Sequence, residues 1–75
     1  MRRDKLDILR DILMICGRQR ARKTEIAYKS NINFTKLSSY LNWLAAHGFL
    51  EIEGSFFEIT PAGLSLLSSL EEIEP

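Results

Sequence analysis

The residues most able to make directional polar contacts are concentrated between Asn33 and Gly48, in the run N-F-T-K-L-S-S-Y-L-N-W-L-A-A-H-G. Projected as a helix at roughly 100° per residue, this run places Thr35, Lys36, Ser39, Asn42 and Ala46 on one side, with Ser38 and Trp43 on its flanks. That side is hydrogen-bonding and free of carboxylates. Such groups can reach base edges in a DNA major groove or the phosphates beside it, where an acidic face would be repelled. An ordinary solvated helix face has the same composition, so the choice between the two readings falls to the helix's place in the chain.

Other chemistries find less support. Glu51, Glu53 and Glu58 have no histidine or nucleophile beside them and read as solvated charge guarding the edge of a hairpin, not as acid/base or metal-binding groups. Cys16 and His47 are each the sole residue of their kind, which excludes an internal disulfide and leaves no zinc-binding spacing. Cys16 is expected to be a small buried apolar residue, and His47 to sit at the negative end of a helix dipole. No phosphate loop or nucleophile-base pair appears, so no enzyme activity, metal or cofactor is expected, and no small-molecule pocket can be argued. The longest apolar candidate, Leu6 to Cys16, is interrupted by Asp7, Arg10 and Asp11. It is neither a membrane span nor a signal-peptide core, and an intracellular protein is expected.

The elements that must hold the polar face can be read on either side of it. Seventy-five residues make one domain, 1–75, near the lower limit at which a single core suffices. Asp4 can cap a first helix over about 5–16, with Leu6, Leu9, Leu13 and Cys16 as one apolar row, Ile8, Ile12 and Ile15 as a second, and Gly17 as its end. A basic connector follows, R-Q-R-A-R-K, too polar to be buried and able to hold a short extended segment. The spacing then predicts a short helix over about 23–30, a sharp turn at Asn31-Ile32-Asn33, and the polar-faced helix over 34–47, capped by Asn33 and ended by Gly48. Leu37, Tyr40, Leu41 and Leu44 form its core side. Two helices joined in this way are a helix-turn-helix.

After Gly48 the apolar period changes to two, which predicts strands over about 49–53 and 56–60 turning near Gly54-Ser55. Leu50, Ile52, Phe57 and Ile59 should point inward and the three glutamates outward. Thr60-Pro61 reads as an N-cap with proline in the first helical position, opening a last helix over 61–73. The surplus apolar rows on the first and last helices, Ile8, Ile12 and Ile15 with Leu66, Leu70 and Ile73, are a candidate dimer surface unless one core absorbs both.

Net charge is zero, but its distribution is polar. All ten cations, from Arg2 and Arg3 to Lys36, precede Leu37; against four carboxylates they leave a surplus of six, and six glutamates balance it in the remainder. One end can therefore face phosphate.

T-E-I-A-Y-K-S-N-I-N-F-T-K-L-S-S-Y-L-N-W-L-A-A-H-G-F-L-E resembles a winged helix-turn-helix domain, with Ile26-Ala27, Asn31-Ile32 and Gly48-Phe49-Leu50 at the expected places. More narrowly, A-R-K-T-E-I-A-Y-K-S-N-I, S-Y-L-N-W-L and F-F-E-I-T-P-A-G-L-S-L-L are similar to the small archaeal winged-helix proteins of the ten-kilodalton chromatin class. The resemblance implies an α+β, mostly α, fold: a three-helix core, a two-stranded wing hairpin and a C-terminal helix. It implies a homodimer that binds double-stranded DNA, cytoplasmic and nucleoid-associated, acting as a chromatin component or small transcriptional regulator. Carried over by position, Thr35, Lys36, Ser38, Ser39 and Asn42 would face the groove. Arg18, Arg20, Arg22, Lys23, Lys29 and Ser55 would meet phosphates. Members of that class continue into a long antiparallel coiled coil, whereas this chain stops at Pro75; its wing is acidic outside with no Arg or Lys at the tip, so minor-groove insertion is not expected. Trp43 either packs under the wing or touches sugar-phosphate, and Tyr28 has no assigned role. The acidic wing also fits a second class of function, a winged-helix protein-interaction module.

Overall fold

A computed structural model describes residues 4–72; Arg2, Arg3 and Ile73, which enter the charge and dimer expectations, lie outside the described residues. The order is α1 (Lys5–Arg18), β1 (Ala21–Arg22), α2 (Lys23–Ser30), α3 (Phe34–Ala46), β2 (Leu50–Glu53), β3 (Phe56–Ile59) and α4 (Pro61–Glu72).

Local chemistry sets most of the boundaries. Asp4 Oδ1 accepts from the Asp7 N–H at 2.9 Å and opens α1. Gly17 does not end that helix: it continues to Arg18, and Gln19 stops it by extending directly toward β1. Asn31 takes the left-handed conformation at φ 59°, and its N–H and that of Ile32 both return to the Ala27 carbonyl. Two residues later Asn33 accepts from the Lys36 N–H at 2.8 Å, so the chain leaves α2 and enters α3 with both helix ends satisfied. At the far end of α3, Gly48 adopts φ +80°, Phe49 N–H bonds the Leu44 carbonyl at 2.8 Å, and Gly48 N–H that of Ala45 at 3.1 Å. That pair is the glycine-terminated double turn in which the first residue beyond lands on the core.

The sheet has three strands, not the two of the expected wing, in the antiparallel order β1-β3-β2. Two residues of the basic connector supply the third: Ala21 pairs with Phe57 and Arg22 with Phe56. Ala21 is buried, so the connector is not wholly solvated. In the hairpin, Leu50 faces Ile59 and Ile52 faces Phe57, as alternation predicts. Ile52 is nevertheless 52% exposed, because the hairpin's far end overhangs the core.

Ile8, Ile12, Leu13, Cys16, Ile26, Leu37, Leu41, Leu44, Leu50 and Leu70 close one core. Ile8, Ile12 and Leu70 are thus enclosed by their own chain, which corrects their assignment to a dimer surface. Both rows of α1 are used because α2, β3 and α4 all pack against it. Ile15 and Leu66 remain half-buried against the core.

Burial, with the Glu25 carboxylate adding to it, pushes the Cys16 thiol from 9.0 up to about 12. Iodoacetamide at neutral pH is therefore expected to label Cys16 only as the chain unfolds; labelling at the rate of a free thiol would contradict this placement. The unfolded thiol ionises first, so stability is expected to fall as pH rises from about 9 toward 12, with no contribution below that window.

Candidate functional site

The core places α3 with Leu37, Leu41 and Leu44 inward, and this leaves Thr35, Lys36, Ser39 and Asn42 exposed along its opposite side. No acidic residue lies within α3. Ser38 belongs to the flank instead: it is half-buried, its hydroxyl donates to the Phe34 carbonyl at 3.2 Å, and it accepts from the Lys23 ammonium. Lys23 also lies 4.0 Å from the centre of the Phe34 ring. This lysine is therefore held against the edge of α3 and fixes positive charge there.

The other cations divide into two groups. Arg20 and Arg22 set their guanidinium carbons 4.7 and 4.9 Å from the centre of the Phe56 ring, next to the hairpin tip at Gly54-Ser55. Strand register continues the row, with Arg22 opposite Phe56 and Phe56 opposite Glu53. The wing sheet thus carries arginine on its β1 edge and glutamate on its β2 edge, so cations lie beside the hairpin although its tip has none. The short extended segment that the connector is able to hold is β1, with Arg22 in it and Arg20 immediately before it. Ser55 is exposed at the tip.

Arg18 and Lys29 are not brought to α3. Together with Asp11, Met14 and Ile15 they line a recess of about 580 Å³ between α1 and α2, and Lys29 pairs with Glu25 at 3.3 Å.

Trp43 is not buried beneath the wing. It is 45% exposed and stacks on His47 at 4.3 Å and on Phe49 at 5.9 Å, while His47 Nδ1 lies 2.9 Å from the Trp43 carbonyl. Tyr28 is 87% exposed. Among the described residues there is no cluster of three or more metal-ligating side chains, and no helix is long and apolar enough to cross a membrane.

A helix-turn-helix whose second helix presents a polar face, followed by a hairpin and a helix that closes the core, defines a winged-helix domain. The chain belongs to the winged helix-turn-helix family, which it matches over residues 2–75. It is 32% identical over 72 residues to the uncharacterized protein MJ0287 of Methanocaldococcus jannaschii, covering 96% of this chain and 74% of that one. A second uncharacterized protein of the same organism, MJ0290, is 29% identical over 73 residues, and there the match spans 97% of this chain but 35% of the relative. Among solved structures, Sso10a-2, a DNA-binding protein from Sulfolobus solfataricus, superimposes with a TM-score of 0.84 at 31% identity, covering 95% of this chain and 78% of that one. The winged-helix expectation and the likeness to small archaeal DNA-binding proteins are both upheld.

Proposed function

We propose that the chain binds double-stranded DNA, with α3 in the major groove and the β1 edge of the wing sheet against the phosphates. The observation that carries this reading is the exposed, carboxylate-free side of α3, Thr35, Lys36, Ser39 and Asn42, bordered by Lys23 on its flank and by Arg20 and Arg22 on the sheet. The 31% identity to a structure described as that of a DNA-binding protein supports it. Arg18 and Lys29 are assigned to a different surface, and Ser38 to holding Lys23. The finer reading is a homodimer acting as a chromatin component or small transcriptional regulator. With Ile8, Ile12 and Leu70 taken by the core, Ile15 and Leu66 are what remains of the expected contact among the described residues.

If a dimer neutralises about six phosphates, the slope of log affinity against log salt should be about −5. A gel-shift titration on random duplex at several salt concentrations measures it, and a flat response would remove the proposal. Lys36→Glu is expected to weaken binding at least tenfold on every sequence. Asn42→Ala should instead change the order of preferred duplexes, by about 1–3 kcal/mol at one base pair if Asn42 reads a base edge. Equal losses on all duplexes would move Asn42 off the bases.

A second reading, a protein-interaction module, is favoured by the exposed Glu51, Glu53 and Glu58 on the hairpin. It predicts no retention by duplex at low salt, so the same titration separates the two.

A further inference from the structure

Between the first half of α1 and the side of α3 lies a groove of about 650 Å³. Leu6, Leu9, Tyr40 and Trp43 line it with apolar and aromatic surface, and Lys5 and Lys36 supply charge from the two helices. Leu6 is 48% exposed and Trp43 45%, so a large part of this surface is open to water. Among the described residues no carboxylate lines the groove. An apolar lining with one lysine from each of two helices and a volume in the range of small-ligand pockets matches an amphipathic organic anion. A neutral apolar molecule would leave the two ammonium groups unused, whereas a small inorganic anion would leave the apolar surface wet.

We infer that this groove is a binding site for small amphipathic carboxylates, with a phenylalkyl or medium-chain acyl body on Leu6, Leu9, Tyr40 and Trp43 and the carboxylate between Lys5 and Lys36. Ser39 also lines the groove, and it and Lys36 belong to the outward side of α3. An occupied groove therefore withdraws Lys36 from a polyanion. The carboxylate and DNA are antagonists at that residue, a coupling that rests on the proposed function, although carboxylate binding itself does not.

Trp43 is the sole tryptophan of the chain, so its fluorescence reports on the groove directly. The full chain is titrated, without DNA, with 4-phenylbutyrate and octanoate, and in parallel with 4-phenylbutanol and inorganic phosphate. The expected result is a saturable Trp43 change with the carboxylates at micromolar to low-millimolar concentration, with the alcohol and phosphate each at least tenfold weaker. Lys5→Gln and Lys36→Gln should each weaken the carboxylates severalfold without moving the alcohol, and Leu6→Gln should weaken carboxylates and alcohol alike. These positions are exposed, so the variants are expected to fold. A non-saturable response, equal binding of alcohol and carboxylate, or indifference to all three substitutions would overturn the site. In a second arm, 4-phenylbutyrate at saturation should weaken duplex binding severalfold. If duplex does not bind at all, the DNA reading fails while the fluorescence titration still decides the site. If duplex binds with unchanged affinity in saturating carboxylate, the antagonism is refuted.

Discussion

Gly63→Ala should destabilise the fold by about 3 kcal/mol, near the upper end of what overpacking one methyl group does. Gly63 lies in the first turn of α4, where an added Cβ would stand 2.2 Å from the Phe49 carbonyl oxygen and 2.7 Å from Ile59 Cγ1. Neither neighbour can retreat easily. The Phe49 carbonyl accepts the Thr60 N–H at 3.2 Å, and the Thr60 hydroxyl donates to the Gly48 carbonyl at 2.6 Å while accepting from Gly63 N–H at 3.0 Å. Relieving the clash would pull α4 from the start of β2 and break that set of bonds. In a domain of this size the loss corresponds to a fall of about 15 °C in Tm. Gly17 supplies the control, because it too is helical but an added Cβ would meet Ile59 Cδ1 only at 3.7 Å. Gly17→Ala is therefore expected to stabilise, by about 0.5–1 kcal/mol, through the lower conformational freedom of the unfolded chain. Urea unfolding followed by circular dichroism checks both. A loss below about 1 kcal/mol for Gly63→Ala would show that α4 can shift without breaking its junction with β2.

Neutralising Arg20 and Arg22 together should produce the largest loss of DNA affinity of any paired substitution on the sheet. By counterion release, each lost phosphate contact lowers affinity about eightfold at 0.1 M salt, so Arg20→Gln with Arg22→Gln should cost about 60-fold per chain. The salt slope should become shallower by about 2 per chain. The effect depends on placement as well as charge, since both guanidinium groups lie over Phe56 and are exposed beside the hairpin tip. Stacking of this kind contributes about 0.5–1 kcal/mol at an exposed site and narrows where the cations can go. Phe56→Leu should then reduce affinity only a fewfold and leave the salt slope intact. Affinity of the double variant within threefold of the parent would place the arginines away from the duplex.

The helix-turn-helix was legible because its signals are local. Asn33 and Gly48 mark the ends of α3, Asn31 allows the turn, and the spacing of Leu37, Leu41 and Leu44 points one side inward. Each depends on neighbours within a few residues. The wing was only half legible, since the pairing of Arg22 with Phe56 joins residues far apart in the chain and no periodicity reports it. Amphipathic rows share this limit: Ile8 and Ile12 look the same whether a sister subunit or their own chain covers them, and here α1 is covered from several sides. Charged residues were equally ambiguous. Arg18 and Lys23 belong to one basic run and Lys29 follows within α2, yet Lys23 is anchored on Phe34 and Ser38, Lys29 is paired with Glu25, and Arg18 lines a separate recess. The glycine at 63 gave no sign of its close approach to Phe49, because that contact exists only once β2 and α4 meet.

The two arginines beside the hairpin are brought there by main-chain pairing of β1, which contains Arg22 and begins directly after Arg20, and none of their charge is carried by the tip at Gly54-Ser55. Loop length and cationic content are thereby uncoupled. Insertions between Glu53 and Phe56 can vary among descendants of this chain without altering the charge beside them, whereas deleting Ala21 would make the two arginines adjacent and send them to opposite faces of the sheet. Sequence drift should thus be freer at the tip than in the dull-looking connector that precedes α2.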